Sequence, residues 1–375
     1  MPDDAQLAAS QHIEADQPFQ CLHELVKAAR LKLNANIWDY LVGATETETT
    51  LQRNRASLDA VAFRPRVLRD VSRVDCKADF LGRRRIRLPV ALAPVGSLDS
   101  FDAGGAATAG RAASAFGVPI IVSSVTEPSL EGSAAATPGP KVFQLYTRGD
   151  GTYVDDHVRR AVGSGYDAFA ITVDTAHYSR RERDIAKRFV KHWRARNTGM
   201  QHQAALSWSD IARFRDKHPD VTLVLKGIGT AEDAEIAVQH GVQVVYVSNH
   251  GGRQLDHGRG SFAVLPEVVQ AVGGKARVWM DGGISRGTDV VKAITLGAEL
   301  VGIGRLYCYG LAAAGEHGVR RVLELLEDEV QTCLGLLGAT SFVAVEKTQL
   351  HPVAPLATPH VHSAFPLLAE HGRGY

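Results

Sequence analysis

His250 and Arg253 stand three positions apart in the run Ser248-Asn249-His250-Gly251-Gly252-Arg253-Gln254-Leu255-Asp256, on either side of a Gly-Gly pair. An imidazole can take a proton and a guanidinium can hold an anion such as a carboxylate, so the two read as a base beside an anion clamp. Adjacent glycines let the backbone turn sharply and approach a ligand closely. The apolar run Val242 to Val247 reads as a buried parallel strand, which brings both side chains out at its C-terminal end. The triplet alone reads equally well as a surface loop; the nine-residue run favours the base and clamp.

Something must position that loop. Short apolar or β-branched runs recur along the chain with helical patterns between them, as in repeated βα units around a parallel sheet. Strands are expected near Leu88–Ala93, Pro119–Ser123, Lys141–Leu145, Ala168–Val173, Thr222–Lys226, Val242–Ser248, Arg277–Asp281 and Leu300–Ile303. Helices are expected at about Gly105–Phe116, Val154–Gly163, Ser209–Lys217, Ala231–His240, Phe262–Val272, Arg286–Leu296 and Leu306–Leu334, the last carrying more than one helix. Eight such units close a (β/α)8 TIM barrel, whose chemistry sits at the C-terminal ends of the strands. There the fourth strand ends in Thr172-Val173-Asp174-Thr175 and leads into Arg180-Arg181-Glu182, and the fifth ends in Lys226-Gly227. Asp174 is placed to pair with His250 and raise its basicity, or to cap a helix. The loops after the seventh and eighth strands, Asp281-Gly282-Gly283 and Gly302-Ile303-Gly304-Arg305, offer amide N–H groups and a cation where such barrels often bind phosphate. A nicotinamide cofactor is disfavoured, because no Gly-x-Gly-x-x-Gly run follows a strand with an acid about 20 residues on.

One domain over 22–348 is expected, preceded by a flexible extension, 1–21, and followed by a tail, 349–375, read as disorder or subunit contact. The amphipathic segment Leu22 to Leu41 reads as a lid helix that delivers Tyr40 to the barrel mouth, or as a cap on the barrel bottom. Leu81 to Ile86 reads as a hairpin whose arginines form a solvated edge. The 375 residues are 45% apolar and 22% charged, with 42 Lys and Arg against 41 Asp and Glu, so no nucleic-acid partner is expected. Cys21, Cys76, Cys308 and Cys333 lie far apart, which argues against a zinc site or a disulfide scaffold; no metal site is expected. No secretory signal and no apolar run of roughly 18–20 residues is seen, so a cytoplasmic protein without membrane insertion is expected.

From Trp38-Asp39-Tyr40 to about Val345, through the motifs above, the chain resembles the FMN-dependent 2-hydroxy acid oxidases and dehydrogenases, the family of glycolate oxidase, lactate oxidase and mandelate dehydrogenase. The resemblance implies FMN and oxidation of an (S)-configured 2-hydroxy acid to the 2-oxo acid. The Cα hydrogen leaves as a proton or as hydride, and the flavin is restored by O2 or another acceptor. By resemblance His250 is the base and Asp174 its partner. Arg253 and Tyr40 hold the substrate carboxylate with Arg181 nearby, and Tyr146 faces the substrate hydroxyl. Lys226 matches the lysine whose charge stabilises the reduced ring. Val95 and Gly96 would meet the ring, with Ser123, Gln144, Thr172 and Ser248 at its polar edge. Asp281, Gly282, Gly283, Arg286, Gly304 and Arg305 complete the expected cofactor site. A homotetramer is the assembly the resemblance implies.

The chain also departs from its relatives. Only about fifteen residues bridge Val190 and Leu206, where relatives place a longer lid, so a more open mouth is expected. Lys187, Arg188, Lys191, Arg194 and Arg196 cluster there, as a solvated face or as an attractor for anions. Val125 stands where glycolate oxidase has tryptophan and Tyr178 where it has leucine, so a substrate bulkier than glycolate is expected. Gly96 replaces a common alanine. Ser285 replaces a common arginine, which shifts phosphate binding toward Gly304 and Arg305. The rival readings are the same chemistry on a larger biosynthetic intermediate and a catalytically silent flavin-binding protein.

Overall fold

The computed structural model describes residues 18–189 and 199–368. Eight parallel strands, Val90–Leu92, Ile120–Ser123, Lys141–Leu145, Ala168–Thr172, Leu223–Ile228, Val244–Val247, Arg277–Asp281 and Leu300–Ile303, close a barrel in chain order. The eighth returns to the first through Val301↔Val90, Gly302↔Ala91 and Ile303↔Leu92. Each strand is an apolar run because a sheet covered by helices outside and filled by side chains inside has no wet face. The interior is packed by Ala91, Ile121, Val142, Val224, Val244, Tyr246 and Trp279, all at most 4% exposed. The expected (β/α)8 barrel is therefore the observed fold, and the expected strands fall where the observed ones do.

The barrel bottom is closed by the hairpin of Ala78–Phe80 and Arg84–Ile86, whose Phe80 stacks on Trp279 at 5.9 Å. Its arginines are not simply solvated: Arg84 pairs with Asp167 at 2.6 Å, and Arg83 donates to the Asp167 carbonyl at 2.9 Å.

The expected single helix over Leu22 to Leu41 is two, Leu22–Lys32 and Ala35–Val42. Asn34 breaks the run because its side chain caps the second helix, accepting from the N–H groups of Asn36 and Ile37 at 3.0 Å each. The second helix carries Tyr40 to the barrel mouth, and the first packs under Phe365 through His23. The last helix, Arg305–Leu336, is two helices meeting at non-helical Ala314 and Gly315.

Past residue 348 the expected loose tail is instead built into the fold over its described part. Leu350–Pro352 pairs antiparallel with Val61–Phe63, and Phe365 is 1% exposed. Residues 1–17 of the N-terminal extension lie outside the described residues, as do Lys191, Arg194 and Arg196. Of the remaining basic cluster, Lys187 is paired with Asp39, and Arg188 is exposed. Among the described residues no helix is long and apolar enough to cross a membrane.

Candidate active site

The loop after the sixth strand is bent by three successive residues in the left-handed region: His250 at φ 59°, Gly251 at 64° and Gly252 at 78°. Glycine takes this conformation freely, whereas a histidine there is held by its surroundings. The His250 N–H donates to Ser248 Oγ at 3.1 Å. The bend sets the ring between two partners, with Nδ1 3.1 and 3.3 Å from the Asp174 oxygens and Nε2 3.2 Å from the Tyr146 hydroxyl. Burial lowers the His250 pKa below 6.5, and although Asp174 opposes this, Lys226 and Arg181 add to it. Asp174 thus acts on the base in the expected direction, raising its proton affinity, while burial is the larger influence and leaves the net value low. Burial also pushes Asp174 up, but the His250 contact and Lys226 more than offset that and keep it ionised. The neutral ring then donates Nδ1–H to Asp174 and leaves Nε2 as the basic atom. Tyr146, raised by burial, stays protonated and donates to it.

Arg253 and Arg181 line the same pocket as that base. Arg253 donates to the carbonyls of Tyr40 at 2.8 Å and Gly43 at 2.6 Å, and its guanidinium lies 4.8 Å from the Tyr40 ring centroid. Burial, with the like charges of Arg181 and Arg305, lowers its pKa to about 9, the signature of a cation that gains from an anion. Arg181 lies 5.2 Å from the Tyr178 ring centroid, and its buried Nε has no hydrogen-bond partner among the described residues. The Tyr40 hydroxyl donates to the Gly96 carbonyl at 3.0 Å. Tyr40, Val125, Tyr146, Tyr178, Arg181, His250 and Arg253 all line one pocket. The same lining continues to Gly282, Gly283 and Gly304, so the base and the glycine loops after the seventh and eighth strands face one cavity.

The residues around Lys226 fit FMN on observations independent of the resemblance. Gln144 donates to Thr172 Oγ1 at 2.9 Å, but its Oε1 is buried without a partner among the described residues, an acceptor suited to a donor such as a flavin ring N–H. Lys226, 3% exposed, donates to Ser248 Oγ at 2.8 Å and lies 3.2 Å from Asp281, which accepts from the same Ser248 at 2.6 Å. Ser123 is buried beside these and accepts from the Val125 N–H at 3.4 Å. Val95, Gly96, Lys226, Asp281, Gly282, Gly283, Gly304 and Arg305 line the pocket itself.

The phosphate end differs from expectation in two ways. Arg286 does not line the pocket; it turns to Glu329 at 2.6 Å, a carboxylate on the last helix. The helix Gly287–Thr295 is moreover capped from within, Ser285 and Arg286 N–H donating to Asp289 at 3.0 Å each and Gly287 N–H to Glu329 at 2.7 Å. The helix that starts at Arg305 has no side-chain cap among the described residues, which leaves its first amides to an anion. Arg305 donates to the carbonyls of Leu41, Gly43 and Gly251, tying the Tyr40 helix to the base loop.

Several lining residues carry no motif. Leu51, Asn54 and Arg55 come from the helix Thr49–Asp59, whose buried face mixes Thr50, Asn54 and Arg55 with Leu51 and Leu58 and so shows no apolar period. Met200 and Gln203 come from a short helix, Met200–Ala205, that takes part of the space expected to be open at the mouth; Gln203 donates to the Thr172 carbonyl at 2.8 Å. Arg148, Tyr309, His360 and Val361 also line the pocket.

Residues 29–352 match the family model described as FMN-dependent dehydrogenase. The chain is similar to glycolate oxidase 5 of Oryza sativa subsp. japonica, 39% identical over 344 residues, 86% of this chain and 93% of that protein. It is 38% identical to glycolate oxidase of Spinacia oleracea over 351 residues, 88% of this chain and 95% of that protein. A crystal structure of mandelate oxidase with 3,3-difluoro-2-hydroxy-3-phenylpropionic acid superposes with a TM-score of 0.82 at 41% identity, covering 90% of this chain and 99% of that one. Mandelate oxidase with benzoyl-formic acid gives the same TM-score and coverage at 40% identity. The chain therefore belongs to the FMN-dependent dehydrogenase family and is an oxidoreductase that uses FMN.

Proposed function

We propose that the chain oxidises an (S)-configured 2-hydroxy acid bulkier than glycolate to the 2-oxo acid, in the cytoplasm and as a homotetramer. The observation that carries the reading is the His250 Nε2 atom, basic and bonded to Tyr146, in one pocket with Arg253 and Arg181. The two guanidiniums hold the substrate carboxylate and offset charge building on the adjacent carbon. Tyr146 donates to the substrate hydroxyl oxygen, and Nε2 of His250 takes one proton, the imidazolium being stabilised by Asp174. Bound FMN supplies the two-electron acceptor, which O2 or another acceptor restores. Lys226, buried between Ser248 and Asp281, holds positive charge beside the pocket.

Size selection rests on Val125 and Tyr178, which both line the pocket. The mandelate oxidase structures hold phenyl-bearing acids, which supports the same substrate class here. The homotetramer rests on family resemblance, and the cytoplasmic setting on four free, widely spaced thiols. Anaerobic titration of the flavoprotein tests the activity. Aromatic or long-chain 2-hydroxy acids are expected to bleach the flavin, and bleaching by none would leave a silent flavin-binding protein. A kinetic panel in which glycolate or lactate won outright would overturn the size selection, and following reoxidation in air sorts oxidase from dehydrogenase.

A further inference from the structure

The family match stops at residue 352, yet the chain does not leave the barrel there. Val353 N–H donates to the Ala60 carbonyl at 2.9 Å, and the following exposed stretch leads to a compact turn at the pocket's rim. In that turn Ser363 Oγ donates to the His360 carbonyl at 2.9 Å and accepts from its N–H at 3.2 Å. The His362 ring stacks on Trp38 at 5.5 Å between centroids and lies 3.4 Å from the Tyr309 hydroxyl. Phe365 is buried edge-on to His23 at 5.6 Å and Tyr309 at 6.5 Å. Arg286, displaced from the pocket by Glu329, reaches the Ala364 carbonyl at 3.4 Å. The segment is thus pinned to the helix that carries Tyr40, to the helix that starts at Arg305 and to the end of the seventh βα loop.

One of those anchors, Tyr309, lies one turn into the helix that starts at Arg305, whose start has no side-chain cap among the described residues. His360 and Val361 line the pocket, as do Arg305 and Tyr309. The His360 Nδ1 atom accepts from the His362 N–H at 3.2 Å, so the neutral ring carries its proton on Nε2 and offers a donor. We propose that residues 353–368 form a C-terminal strap that closes the phosphate end of the FMN site, with the Nε2–H of His360 donating to the phosphate and the His362–Trp38 stack holding the strap shut. FMN then leaves only when the strap lifts. The inference rests on the family's cofactor and not on the substrate proposed above.

The test uses the full chain. Release of FMN from the holoenzyme is followed by recovery of free-flavin fluorescence after dilution, and affinities of the reconstituted apoprotein for FMN and riboflavin are compared. Losing a hydrogen bond to a charged group costs roughly tenfold or more in affinity. His360→Ala is therefore expected to weaken FMN by about that factor and leave riboflavin, which lacks the phosphate, unchanged. His360→Gln, which keeps a donor, is expected to recover part of the loss. His362→Ala is expected to speed release of both flavins with an unchanged circular dichroism spectrum. Wild-type release rates in both alanine variants would overturn the strap, and an equal loss for FMN and riboflavin in His360→Ala would overturn the phosphate contact. A wild-type chain that bound no flavin would overturn the cofactor assignment, a result separable from either.

Discussion

Asp174 holds Nδ1 of His250 between its two carboxylate oxygens, at 3.1 and 3.3 Å, so the opposite nitrogen is the one left to act as base. The carboxylate does two things: it selects the tautomer and it stabilises the imidazolium once a proton arrives. Asp174→Asn keeps the shape and removes the charge. Because burial already holds the His250 pKa below 6.5 and Asp174 is the main opposing influence, the asparagine variant lowers it further. Activity requires the neutral ring, so the acidic limb of the kcat/KM profile lies below pH 6.5 in the wild type and is expected to move to lower pH in the variant. The plateau should fall by roughly 10²-fold or more. A profile with an unmoved limb would show that Asp174 does not set the base's proton affinity.

Gly96 and Val125, the two positions that depart from relatives beside the expected ring site, touch one another. A Cβ placed on Gly96 would lie 2.8 Å from a Val125 methyl. Gly96→Ala alone is therefore expected to push the Val125 loop or the Tyr40 hydroxyl, which is bonded to the Gly96 carbonyl, and to lower kcat/KM for large substrates. The double variant Gly96→Ala, Val125→Ala removes the clash and should recover most of that loss. A double-mutant cycle whose interaction energy is zero would separate the two positions.

Arg55 binds Asp289 through two bonds, at 2.7 and 2.8 Å, with side chains 7% and 1% exposed. Asp289→Ala leaves Arg55 half-satisfied in the interior and uncaps the Gly287 helix, and should cost about 3–5 kcal/mol in urea unfolding. Burial pushes the Asp289 pKa up, but Arg55 outweighs it and the net value falls below 3.8. The pair's contribution is then fully present above pH 3.8 and is lost as pH falls through the lower folded value, so the gap between wild type and variant should close only in that acidic window. A gap already closing near neutral pH would contradict the assignment.

The barrel was legible because its strands are apolar runs buried on both faces, and the base loop because His250 and Arg253 flank a Gly-Gly pair at the end of one of them. What was not legible is instructive in physical terms. The helix Thr49–Asp59 buries an arginine and an asparagine, so its inner face carries no hydrophobic signal. Arg286 has the right type and place for a phosphate, but Glu329, 43 positions away, takes its charge. His360 sits in a Pro- and His-bearing stretch that reads as a loose tail, because the anchors of its neighbour His362, Trp38 and Tyr309, are more than fifty positions distant and only the folded barrel brings them together. Such partnerships depend on long-range geometry, which local pattern does not encode.

The paired glycines of the base loop make a contrast that tests how rigidly the fold aims His250. Both have positive φ, so alanine strains either backbone by about 1–2 kcal/mol. Beyond that they differ: a Cβ on Gly252 would lie 2.5 Å from the Leu51 backbone nitrogen and 2.6 Å from its Cα, whereas one on Gly251 would meet the Arg305 Nη1 atom at 2.9 Å. Leu51 is fixed in a helix and cannot yield, while the guanidinium is the far end of a flexible chain. Gly252→Ala is therefore expected to shift the whole loop, moving Nε2 off the substrate and lowering kcat by at least about tenfold along with the unfolding midpoint. Gly251→Ala should keep most of kcat and instead free Arg305 from the Gly251 carbonyl, an effect read as altered FMN affinity. Equal losses of kcat in the two variants would mean that the helix Thr49–Asp59 does not brace the base.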